Sequence, residues 1–424
     1  MEKRANNILM VYIVFAVVAE MMHISLNGAP PMYMRLVYIC IHLLFCLFYT
    51  KLIPVFVSVS MIMQNFSVVF GEFLPATMYF NIALMGYCYF RLRWVGRPDR
   101  GGYAFDSSAE YFIMLIFIIY SFFNIFISPN VSFFACLLFS VIFLGCIRRL
   151  KDDYLRVLLK YIIVAMVLSS VLSLFNMDKI VADYATSFGD VQRLAWKDSN
   201  YTSFFIGVIV LISLFYASRT SSKSIRNGLY AVTLLLLICL CLLISRGSII
   251  SLTIACLFYF RNKIFSSKII SYGLLLGILG FVLYDNGLFD GIIARFNSED
   301  MEDGSGRTLI WSLGLNTFQN KGILTILFGG GVGSANQMAF LGGIYFSPHN
   351  NFLEILYNFG IIGLVIFVLW WIVFYVRSSK EKKALVIFIM ANCMTICPFT
   401  YVQPIWIIIP LIMIWDSRIN KLIC

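Results

Sequence analysis

Four side chains in this chain could act together on an anionic group such as a phosphate: Arg193, Arg246, Arg307 and His349. Guanidinium is a permanently charged fork that matches phosphate oxygens bidentately. Neutral imidazole can accept a proton near physiological pH. Three arginines and one histidine, with no clustered carboxylates beside them, make an anion clamp with a base. Each also has a plainer reading. Arg193 and Arg307 can pair with local aspartates as ordinary loop charges, and Arg246 can be an interfacial arginine whose stem lies along lipid.

Local context sharpens two of the four. The Ser245-Arg246-Gly247 turn joins two apolar runs, 229–244 and 249–260. As helices these reach only about 24 Å and 18 Å, short of the roughly 30 Å hydrocarbon core, so the turn is expected to be recessed. An arginine there must meet water or an anion, because lipid exposure costs about 3 kcal/mol or more. In Ser347-Pro348-His349-Asn350, Ser347 is expected to cap the following helix, with Pro348 at its first position. His349 then falls in the first turn, where the helix N-terminus disfavours imidazolium. His23 and His42 lack such context and read as structural.

The elements that must position these groups are membrane helices. Of the 424 residues 61% are apolar and 12% charged, against about a quarter charged in soluble domains. Fourteen apolar runs read as spans: 8–22, 36–49, 52–70, 74–90, 111–127, 131–147, 157–175, 202–216, 229–244, 249–260, 269–284, 352–376, 384–400 and 402–415. The expected fold is an all-α polytopic membrane protein with twelve to fourteen transmembrane helices, a single membrane domain over 1–424. No cleavable signal follows the first run.

The net charge of +11 does not point to nucleic acid. With the N-terminus inside, twenty-four of the 32 basic residues fall in inside loops, a topology signal that puts both termini in the cytoplasm. Two outer segments are then too long to be connectors: 176–201, and 285–347 with its acidic patch Glu299–Asp303, a short amphipathic helix near 306–318 and a glycine-rich turn at 329–333. That turn lacks a Gly-Lys-Ser/Thr and reads as a plain turn before a phosphate nest. Ten of the eleven cysteines fall in spans and Cys424 at the inside end, which argues for helix packing and against a disulfide framework or metal site. Charged residues are nearly absent from span centres, against a coupled transporter.

The pattern resembles the O-antigen polymerase and ligase superfamily of membrane glycosyltransferases. His349-Asn350, nine residues, then Gly360-Ile361-Ile362-Gly363 is similar to its His-Asn-x9-Gly-x-x-Gly signature. Gly306-Arg307-Thr308 with Trp311, Gly329-Gly330-Gly331-Val332-Gly333, and Ser245-Arg246-Gly247 look like its other elements. Arg193-Leu194 through Asn200 resembles a fourth, with Ala195-Trp196 in place of glycine and Ser199 in place of proline. The resemblance covers 190–365. It implies a GT-C-like, inverting, metal-independent transferase without cofactor, acting on undecaprenyl diphosphate-linked oligosaccharides at the periplasmic face of the bacterial inner membrane. His349 is then the general base, and Arg246 with Arg193 and Arg307 stabilises the leaving diphosphate. Asn200, Asn350 and Glu354 are further substrate-site candidates, Asn350 or Glu354 as the group orienting the imidazole or the sugar. A polymerase of repeat units is favoured, with a chain-length-determinant protein as a candidate partner. A ligase onto lipid A-core and a non-catalytic flippase are the alternatives.

Overall fold

The computed structural model describes residues 2–25, 32–66, 74–95, 108–174, 199–243, 245–262, 306–341, 343–376 and 378–423. The expected span at 269–284, the acidic patch at 299–303 and most of 176–201 lie outside these residues.

Long apolar runs fold as helices because only intrasegment hydrogen bonds satisfy the backbone in lipid. The first ten are α1 (Glu2–Ser25), α2 (Met32–Phe48), α3 (Ile53–Phe66), α4 (Leu74–Val95), α5 (Ser108–Asn124), α6 (Ser132–Arg149), α7 (Asp152–Leu174), α8 (Ser199–Arg219), α9 (Lys223–Leu242) and α10 (Arg246–Phe260). After the undescribed stretch come α11 (Arg307–Gln319), α12 (Ile323–Phe328), α13 (Asn351–Val376), α14 (Lys380–Cys393), α15 (Pro398–Tyr401), α16 (Ile405–Met413) and α17 (Asn420–Ile423). Between α12 and α13, β1 (Ala339–Leu341) pairs antiparallel with β2 (Ile344–Phe346), Ala339 opposite Phe346. The sequence reading expected only short helices here. Phe340, Ile344, Tyr345 and Phe346 favour extended backbone, and Gly343 takes the left-handed conformation of the turn, φ 89°.

Among the described residues, five helices are long and apolar enough to cross a membrane: Ser132–Arg149, Asp152–Leu172, Asn200–Arg219, Lys223–Leu242 and Asn351–Val376. The pair Leu36–Phe48 and Thr50–Met63, bent by 112°, is a sixth if counted as one broken span. The architecture is an all-α polytopic membrane protein. Five or six of the fourteen expected runs meet that test among the described residues. The expected run 384–400 ends as a helix at Cys393 and turns, and the final run shrinks to α16, which carries Pro410.

Packing is aromatic and dense. Trp370, Trp371, Phe367 and Phe399 sit together in the interior, and Trp406 donates its indole N–H to the Phe399 carbonyl at 3.1 Å. His42 is buried with its Nδ1 2.7 Å from the Tyr12 hydroxyl, which fits its structural reading. Large apolar side chains such as Phe48, Phe112 and Phe123 are exposed on outer helix faces, as lipid-facing residues should be.

The ion pairs among the described residues gather at one end of the bundle. Lys382 meets Glu110 at 2.7 Å with both side chains buried, and Arg219 meets Glu381 at 2.6 Å. There Arg418 also reaches Asp152 and donates to the carbonyls of Ile147 and Leu150. This end gathers the starts of α5, α7 and α14 and the ends of α6 and α8. The other end holds the candidate site.

Candidate active site

Arg246 is the first residue of α10, half-buried, preceded by Ser245 in extended conformation. Ser245 does not cap its own helix. Its hydroxyl donates instead to Asn200 Oδ1 at 3.1 Å, tying the Arg246 turn to the first turn of α8. Ser248 donates to Asn392 Oδ1 at 3.0 Å, and a Cβ on Gly247 would stand 2.7 Å from Thr395 Oγ1. Glycine is needed there because the turn lies directly against the corner that follows α14. The recession of the turn has a narrower basis than expected. Helix α9 starts at Lys223 and is long enough to span, so only the 15-residue α10 is short.

The same corner holds the histidine segment. Asn350 is buried; its Oδ1 accepts from the amides of Phe352 (3.0 Å) and Leu353 (3.2 Å), and its Nδ2 donates to Met394 O at 3.4 Å. Asn350 is therefore the N-cap of α13, where the sequence reading assigned that role to Ser347. His349 precedes the cap instead of lying in the first turn. It is exposed and left-handed, with φ 44°. Asparagine outcompetes serine here because its amide caps the helix and reaches Met394 as well. With both ends of that amide engaged, Asn350 shapes the segment that carries His349.

Arg307 is the first residue of α11, after Gly306 in left-handed conformation. One turn on, Trp311 donates its indole N–H to Pro348 O at 2.6 Å, next to His349. Gly314 lies against the Tyr357 hydroxyl, where a Cβ would be 2.7 Å away, so α11 packs closely on the first half of α13. Glu354, one turn inside the cap, is buried beside Thr400 and Cys397. It faces the corner before α15. Arg193 lies outside the described residues.

The glycine-rich turn is structural. Gly330 and Gly331 donate to Tyr357 O (2.9 Å) and Asn358 O (3.0 Å), and the amides of Gly333 and Ala335 share Asn358 Oδ1. With these donors engaged, little is left of a phosphate nest. The carbonyls are free because α13 breaks at Gly360 (φ 68°, ψ −172°). Tyr120 and Asn124 of α5 satisfy Phe359 O and Asn358 O from the other side. The His-Asn-x9-Gly-x-x-Gly spacing thus measures a cap, a short helix and a break.

The structure brings Gly247 and Ser248 of the Arg246 turn, together with Asn350, against residues 392–395; Ser245 ties Asn200 to that turn, His349 precedes Asn350 in the chain, and α11, which Arg307 opens, is joined to Pro348 through Trp311. Arg246 and Arg307 each open a helix, where the macrodipole adds to their charge and favours an anion. The sequence reading missed Asn392, Thr395, Asn358 and the Trp311–Pro348 bond. The one available signal was a lone Asn inside an apolar run, as at Asn392.

Fold and site together define a polytopic membrane protein with a cationic, imidazole-bearing polar site at one end of its helical bundle. Residues 231–368, about a third of the chain, match the family model described as O-antigen ligase. That match, which takes in Arg246, Arg307 and His349, supports the O-antigen ligase and polymerase superfamily for this chain. No curated protein matches the chain.

Proposed function

We propose that this chain is a GT-C-type glycosyltransferase that joins undecaprenyl diphosphate-linked oligosaccharide repeat units into an O-antigen-type polysaccharide at the periplasmic face of the inner membrane. The observation that carries the reading is the convergence of the Arg246 turn and the His349 segment on one corner, through Gly247–Thr395 and Asn350–Met394.

The acceptor sugar hydroxyl attacks the anomeric carbon while the bond to the diphosphate oxygen breaks, inverting that carbon. His349 takes the hydroxyl proton. Arg246 and Arg307, with Arg193, stabilise the charge that develops on the diphosphate. The undecaprenyl tail stays in lipid beside the recessed turn. A chain-length-determinant protein is a proposed partner.

The test is a glycan ladder from a deletion strain complemented with variants. His349→Ala is expected to abolish chain extension at normal protein abundance, and retained polymer removes His349 from the mechanism. Arg246→Lys is expected to be severely impaired, because an ammonium lacks the bidentate fork. A normal ladder from that variant makes Arg246 an interfacial anchor. The second reading is a ligase transferring the finished chain to lipid A-core, favoured by the description of the matching family. Single repeats on core in the deletion strain mean polymerase; bare core with accumulated lipid-linked chains means ligase.

A further inference from the structure

Helix α12 belongs to a segment that the sequence assigns to an aqueous outer loop, yet its surroundings are those of a membrane-embedded element. Its six residues, Ile323-Leu324-Thr325-Ile326-Leu327-Phe328, carry no charge. Ile323 and Leu324 are 67% and 70% exposed.

The depth of α12 follows from its anchors. The Phe328 carbonyl accepts from Tyr120 (3.3 Å) and Asn124 (3.3 Å), one turn apart on α5, so α12 ends alongside the last turn of that helix. The break of α13 at Gly360 is at the same level, since Leu327 and Gly329 abut it. From Gly360 to Val376, α13 continues for sixteen residues, about 24 Å of helix. With Val376 at the opposite boundary, the level of Phe328 falls inside a hydrocarbon core of roughly 30 Å.

Two further observations agree. Phe123 in the last turn of α5, and Phe126 and Ile127 in the turn that follows it, are 61%, 80% and 51% exposed, so the α12 surface continues a lipid-facing band. The non-helical backbone beside it is hydrogen-bonded, as lipid requires: Gly330 and Gly331 donate to α13 carbonyls, and Ser128 donates to Val332 O at 3.1 Å.

We propose that residues 323–333 form a re-entrant element, with α12 seated among the acyl chains of the outer leaflet and the glycine turn returning the chain to the surface. The partner is the bilayer itself. The inference depends on the membrane character of the fold and is independent of the glycosyl-transfer reading.

The test uses full-length protein in phospholipid nanodiscs, with p-acetylphenylalanine at position 324 carrying a nitroxide, which avoids the native cysteines. Power-saturation EPR then compares collisions with oxygen and with a water-soluble nickel chelate. The logarithm of the oxygen-to-nickel ratio is expected to be positive at 324 and negative at Gln319, the exposed end of α11. The same label at Ile323 reads the same surface should the first variant misfold. A negative value at 323 or 324 overturns the proposal, and so does low accessibility to both reagents, as under a protein cover.

Discussion

Replacing Gly360 by alanine tests the crossing that underlies the site. At Gly360 the backbone of α13 meets that of residues 327–329 with no side chain between them, and a Cβ would stand 2.6 Å from Gly329 N and closer still to Leu327 O. Ordinary contact begins near 3.4 Å, so the two segments must part by more than 0.8 Å. That stretches the Gly330–Tyr357 and Gly331–Asn358 hydrogen bonds, now 2.9 and 3.0 Å, beyond useful range. Two such bonds contribute about 1 kcal/mol each. Holding alanine at φ 68°, ψ −172° costs about 1–3 kcal/mol more. The expected destabilisation is thus about 3–5 kcal/mol. Gly228→Ala is the control. It lies within α9 with nothing near its Cβ position, so alanine should stabilise by about 0.5–1 kcal/mol. Thermal unfolding in detergent, followed as loss of the monodisperse chromatographic peak, should rank Gly228→Ala at or above wild type and Gly360→Ala far below. A Gly360→Ala protein as stable as wild type would refute the backbone-to-backbone crossing.

Two further outcomes follow from other contacts. Trp311→Phe keeps an aromatic ring, though a smaller one, and removes the donor to Pro348 O, leaving a carbonyl unpaired at a cost of about 1–3 kcal/mol. Protease cleavage of the 343–350 segment should rise in the folded variant, and unchanged cleavage would show that this bond does not hold the His349 segment. Lys382→Met strands Glu110 in the buried pair at the opposite end and should destabilise by about 3–5 kcal/mol, whereas Lys382→Met with Glu110→Leu should recover most of that loss. A double variant no more stable than the single one would remove the pair from the account.

Composition determined that this chain belongs in a membrane, because hydropathy is summed locally and needs no contact information. His349, Arg246 and Arg307 were legible for a similar reason: charged or titratable groups bordering apolar runs stand out against a uniform background. Helix starts at Arg246 and Arg307 could be read to within a turn. What caps α13 could not, since Ser347 and Asn350 both suit the position. Only Met394, brought close by a distant corner, favours Asn350.

Tertiary structure alone decided the rest. The break at Gly360 lies in an apolar run that reads as one helix, and it persists because Gly330, Gly331, Tyr120 and Asn124 satisfy the carbonyls it frees. Asn392 reads as a stray polar residue until Ser248 is seen to donate to it. Local sequence encodes which segments leave water. Which polar groups they then meet depends on partners tens to hundreds of residues away, and that pairing built the corner where the arginine turn and the histidine segment come together.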